Sequence, residues 1–187
     1  MLRNPLVTAL TACALFLALG QSGAQAQVKP FKITGGGVVD YIPLQLGVEV
    51  SHTAVGQATE LGRYHGLGTF QLDRFTSPTT AEFSSSVPFV FVAANGDELA
   101  FTYGDTTNGA QHPGQVELFY VGDGRFVAVF VAEFNPVPES STGRFAKVVG
   151  GSFIMTAVTE PFVLGATDPV GYTWTGDGWL EFRKGQR

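Results

Sequence analysis

Beyond residue 26, apolar residues recur at every second position along most of this chain, and no stretch repeats them at the spacing of a helix face. From Ile42 onward, Leu44, Leu46, Val48 and Val50 alternate with Gln45, Gly47, Glu49 and Ser51, which predicts a strand with one buried face. Pro43 belongs at its start or on an edge, because it has no N–H for a ladder. Over 60–73, Tyr64, Phe70 and Leu72 share parity with Gly62, Gly66 and Gly68, while Arg63, His65, Thr69 and Gln71 take the other face. Glycines inside a strand mark bends or close backbone approach. Residues 81–93 read as one long strand with Phe83, Val87, Phe89 and Phe91 on one side, ending at the Asn95-Gly96 hairpin signal.

Further strands are expected at 31–39, 98–103, 116–121, 126–134, 147–159 and 171–182, the last interrupted at Gly176-Asp177-Gly178. A polar loop covers 104–113, Gly122-Asp123-Gly124 forms a turn, and Pro136 and Pro138 make 135–142 irregular. Eight or nine strands with short turns leave an antiparallel β-barrel of about eight strands or a β-sandwich. The barrel is favoured, because rings at alternate positions fill an interior and strand glycines supply the bends that closure needs.

The N-terminus changes the picture of where the chain works. Arg3 precedes an uncharged apolar run from Leu6 to Gly20, and Ala24 and Ala26 suit a signal peptidase, so residues 1–26 read as a signal peptide and 27–187 as a single domain. The apolar run is too short for a membrane-spanning helix, and no membrane span is expected after cleavage. The expected location is periplasmic or extracellular. Cys13 is the only cysteine and lies in the leader, so the mature domain, about 160 residues long, relies on core burial rather than a disulfide. Losing Arg3 takes the net charge from −5 to about −6, and without a basic cluster nucleic acid is excluded as a partner.

Chemistry-bearing groups are sparse. His52, Glu60 and His65 have suitable donor atoms, yet their spacing fits no metal-ligand pattern, so neither a metal site nor a cofactor is expected. His112, beside Pro113 in the polar loop, reads as solvated. No Gly-x-Ser-x-Gly elbow is present, the serine run 84–86 reads as a plain strand face, and Gly35-Gly36-Gly37 lacks the Lys-Ser/Thr of a phosphate loop. The remaining set is Glu60, Arg63 and His65. Facing inward among rings, such a cluster would have the shifted ionisation that acid–base work needs. Facing outward, its members are solvated, and alternation against Tyr64, Phe70 and Leu72 favours that orientation, as it does for Glu117 and Glu133.

The segment Ser141-Thr142-Gly143-Arg144-Phe145, followed by Gly151-Ser152-Phe153, resembles the Gly-Thr-Gly-Arg-Phe…Gly-x-Phe stretch of the barrel superfamily that includes allene oxide cyclases and dirigent proteins, and of similar uncharacterised secreted bacterial proteins. Asn95-Gly96-Asp97-Glu98-Leu99 and Leu61-Gly62-Arg63-Tyr64 fall in the same relative order as in those bacterial members. The resemblance implies an eight-stranded antiparallel barrel, often oligomeric, with an apolar interior. The plant cyclases use a cysteine and a glutamate; the mature chain has no cysteine, so their reaction is not carried over. The resulting expectation is a non-catalytic exported protein that binds a small hydrophobic molecule or serves a structural role at the cell envelope, with Glu60, Arg63 and His65 as candidate ligand-binding residues. The alternatives are a cyclase or isomerase acting on a hydrophobic substrate, and an oligomerising interaction module such as a homo-oligomer.

Overall fold

In a computed structural model of the protein, residues 26–85 and 87–184 are described; the expected signal peptide lies outside them apart from Ala26. The strands are β1 (Gln27–Val39), β2 (Val50–Ala58), β3 (Gly62–Phe75), β4 (Thr80–Ser84), β5 (Phe89–Ala93), β6 (Glu98–Tyr103), β7 (Gly114–Gly122), β8 (Arg125–Pro136), β9 (Val148–Thr159), β10 (Phe162–Val163) and β11 (Val170–Phe182). They form one sheet that returns on itself rather than the two sheets of a sandwich. The pairing runs β1 to β2, β3, β5, β6, β8, β9 and β11, and β11 pairs with β1 again. Eight strand positions therefore close the ring.

Two of those positions are shared. We call the end where β1 starts the upper end and the end where it stops the lower. β5 pairs with β3 at 64–67 and β4 pairs with it at 71–75, so the two short strands occupy one position at different heights. On the far side β6 pairs with the upper end of β8 and β7 with its lower part. The single strand expected over 81–93 is thus two strands. Pro88, which has no N–H to give a ladder, lies between them.

Two other expectations change. Residues 40–49 are not a strand but a strap across the lower end, held by Gly47 N–H to the Leu72 carbonyl at 2.8 Å and by a single bridge between Leu46 and Leu72. Its alternating leucines do not share a buried face, since Leu44 and Leu46 are exposed. The strand is instead β2, displaced toward the C-terminus. Gly176-Asp177-Gly178 does not interrupt β11, which stays in register with β1 through all three residues. The Asn95-Gly96 and Gly122-Asp123-Gly124 turns form where expected, with φ of 86° at Gly96 and positive φ at all three residues of the second turn.

The inner face is a continuous apolar cluster rich in phenylalanine. Its upper half is packed ring on ring: Phe153 meets Phe31, Phe101 and Phe134 at centroid separations of 5.2, 5.0 and 4.7 Å. A 3-10 turn, Gly143–Lys147, crosses the upper end and inserts fully buried Phe145. Arg144 fastens this turn to the ring, donating to the Leu61 carbonyl at 3.2 Å and approaching the Asp97 carboxylate at 3.5 Å. Burying a whole phenylalanine there is worth about 1.5–3 kcal/mol.

Candidate functional site

Of the residues expected to bind a ligand, the structure brings none into the interior. Arg63 and His65 lie on the outer face of β3 and are exposed. Glu60, in the turn before β3, pairs with Lys29 at 3.0 Å, and the Lys29 ammonium in turn sits 4.9 Å from the centre of the Phe182 ring. Glu133 is also outward; it accepts from Ser152 Oγ at 2.6 Å and from the Gln111 N–H at 2.7 Å, which pins the 104–113 loop to the ring. Glu117 is exposed.

The polar group that does reach the interior is His52. Once β2 starts at Val50, the inward positions are Val50, His52, Ala54, Gly56 and Ala58, and the outward ones Ser51, Thr53, Val55 and Gln57. The imidazole stands 4.9 Å from the Phe89 ring and 5.9 Å from Phe70. Its Nε2 lies 2.8 Å from the Tyr103 hydroxyl and its Nδ1 3.0 Å from the Tyr172 hydroxyl. The two hydroxyls reach on to backbone carbonyls, Tyr103 to Thr69 at 2.7 Å and Tyr172 to Thr53 at 2.8 Å. A third tyrosine, Tyr64, donates separately to the Thr34 carbonyl at 3.1 Å.

A proton count constrains this chain of contacts. Two carbonyls can only accept, so four short contacts need four protons, whereas two tyrosines and a neutral imidazole supply three. In the neutral state, therefore, one hydroxyl turns its proton onto the bare imidazole nitrogen and leaves its carbonyl to the sheet. Burial among rings holds the His52 imidazole down to about 4, so it is neutral near pH 7. The same burial pushes the Tyr103 and Tyr172 hydroxyls above their ordinary range, so both keep their protons.

These three residues edge a chamber of about 50 Å³ in the lower half of the ring. The rest of its wall is apolar or aromatic, including Val39, Phe83, Phe130, Met155 and Trp174, with the Thr159 hydroxyl already accepting from the Ala128 N–H at 2.8 Å. The Trp174 indole nitrogen is buried beside the Tyr64 hydroxyl, the two meeting over Gly35. Glycines make room for the polar edge: a methyl on Gly37 would stand 2.8 Å from the Tyr172 hydroxyl, and one on Gly35 only 2.5 Å from that of Tyr64. Among the described residues, no group of three or more His, Cys, Asp or Glu side chains is arranged to hold a metal ion.

Comparison of the chain with protein-family models, with curated proteins and with solved structures gives no match.

His52 makes stability depend on pH in a defined direction. Its folded value lies below its ordinary 6.5, so between pH 6.5 and 4 the unfolded chain takes up a proton that the folded chain refuses. Stability is then lost as pH falls through that window. Each tenfold difference in proton affinity between the folded and unfolded chain is worth about 1.4 kcal/mol. Urea unfolding at pH 7 and pH 4.5 should therefore show wild type losing about 2–3 kcal/mol more than His52→Phe. Equal losses in the two proteins would mean that His52 is not held neutral.

Proposed function

We propose that this chain is an exported, non-catalytic binding protein that holds a small, uncharged, apolar molecule in the lower half of its strand ring. The observation that carries the reading is the chamber itself, a void walled by rings and aliphatic groups below a ring-packed upper half. Among the described residues, its titratable neighbours are His52, Tyr103 and Tyr172, which are uncharged near neutral pH and turned toward one another. A charged ligand would lose its hydration there with no opposite charge to meet it. Cavities that take up benzene measure about 150 Å³. At about 50 Å³ this chamber suits a molecule of a few carbons or the end of a longer one.

Three ionisable side chains converging on one chamber also favour the cyclase or isomerase alternative. Against it, an imidazole near 4 is a weak base, and both of its nitrogens are occupied by tyrosine hydroxyls. Titration with cyclopropane, which has only three carbons, followed by NMR at the Trp174 indole N–H, should give a saturable shift, and cyclopropanecarboxylate should give none. No shift with cyclopropane, or equal shifts with both, would contradict the binding reading.

A second reading, self-association, is favoured by the outer face of β7, β8 and β9. Phe119, Val131, Ile154 and Val158 are exposed there, and cross-strand pairing sets Val158 beside Val129 and Phe119 beside Val127. Sedimentation velocity should show concentration-dependent assembly that Ile154→Lys abolishes; a monomer at every concentration would exclude it.

A further inference from the structure

Below the chamber lies a second, smaller apolar void of about 30 Å³, between the strap and the lower ends of β3, β4 and β7. It is roofed by Ile42, Pro43 and Leu44 and walled by Leu72, Phe75 and Leu118. One side chain, Phe130, lines both voids. We propose that Phe130 is the gate between them, and that an uncharged apolar ligand passes from beneath the strap, past this ring, into the chamber. The proposal rests on the binding reading above and adds the route and the residue that sets the width of the passage.

The packing around Phe130 differs from that around the other chamber rings. Its neighbours on the inner face of β8 are Ala128 and Ala132 and its cross-strand partner on β9 is Ala157, so the stem is flanked by methyl groups on three sides, with buried Val116 of β7 on the fourth. It meets Phe70 and Phe83 edge to face at 5.6 and 5.3 Å. Phe134, two turns of the pleat away, is instead stacked between Tyr103 at 4.5 Å and Phe153 at 4.7 Å. Phe130 is also the most accessible phenylalanine of the chamber wall, at 9% against 5% or less for Phe70, Phe83, Phe89 and Phe134. A ring with small flanking residues and edge contacts can change rotamer without displacing backbone.

The strap completes the route. Residues 40–49 are tied down at their two ends, by the Asp40 N–H to the Ser51 carbonyl at 3.0 Å and by the Gly47 N–H to Leu72. Between these ties, Leu44 is apolar yet exposed. Among the described residues, no charged side chain lines either void, which keeps the ligand class uncharged along the whole path.

Xenon is a suitable probe, being apolar and small enough for the chamber. Its exchange between protein and solvent would be measured by NMR in wild type, Phe130→Val, the milder Phe130→Leu, and Phe31→Leu. Phe31 is fully buried in the upper half and lines neither void, so its truncation loosens the core without touching the chamber or the passage. Exchange should speed up at least about tenfold in Phe130→Val and in the same direction in Phe130→Leu, and stay within about twofold of wild type in Phe31→Leu. Xenon bound in the wild-type chamber with equal exchange in all four proteins would overturn the gate alone. Absence of xenon from the wild-type chamber would overturn the binding reading, and the gate with it.

Discussion

The fit of aromatic rings into glycine gaps on the inner wall is the constraint from which the rest of this structure follows. Phe89 of β5 lies across β3 at Gly66 and Gly68, so closely that a methyl group at either glycine would overlap the ring. Phe153 and Ile33 fill the gap at Gly176, Phe83 the gap at Gly114, and Tyr64 and Trp174 meet over Gly35. Eight strand positions enclose a limited cross-section, and rings of this size lie flat along the wall only where a nearby strand carries no side chain. The inward glycines of the sequence are therefore paired with particular phenylalanines and tyrosines on other strands. Each pairing helps to fix register, because a slip of one residue would put a side chain where the ring must lie.

From this fit comes the division of the interior. Above, Phe31, Phe101, Phe134 and Phe153 pack ring against ring, and Phe145 is fully buried from the turn that crosses that end. Below, Gly37 admits the Tyr172 hydroxyl, and the His52 imidazole takes the position that another phenylalanine would otherwise fill. Polar groups inside a low-dielectric ring must satisfy one another, and here His52, Tyr103 and Tyr172 do so with the help of one backbone carbonyl at a time, the other being left to the sheet. What remains is a small apolar chamber beside a neutral polar edge, the feature on which the proposed binding function rests.

The alternation of apolar residues made the all-β fold and most strands legible, and the parity of Tyr64, Phe70 and Leu72 with the glycines of β3 made its inner face legible too. It failed where short-range pattern and long-range geometry part. Leu44, Leu46 and Val48 alternate like a strand, yet they belong to a strap, in which Leu46 makes one parallel bridge to Leu72 instead of continuing the antiparallel ladder that starts at Val50. His52 shares the parity of Leu44, Leu46, Val48 and Val50, so the same alternation carried two residues further places it inside; the expected pattern stops at Ser51 and leaves it out. Glu60, Arg63 and His65 attracted attention by chemistry alone. Their alternation against Tyr64 already pointed outward, and the two strand members do lie on the outer face. The tyrosines that complete the polar edge come from β6 and β11, and local spacing carries no signal that joins them to β2.

The most direct test is a double-mutant cycle on the closest ring and gap. Gly68→Ala, Phe89→Ala and the double variant would be compared by urea unfolding at pH 7. Gly68→Ala alone should cost about 1–3 kcal/mol through overpacking, and Phe89→Ala about 3–5 kcal/mol through the cavity it leaves. In the double variant the methyl group has no ring to strike, so the combined loss should fall short of the sum by about 1 kcal/mol or more. Losses that add would contradict the account, since they would mean that the ring of Phe89 does not occupy the gap at Gly68.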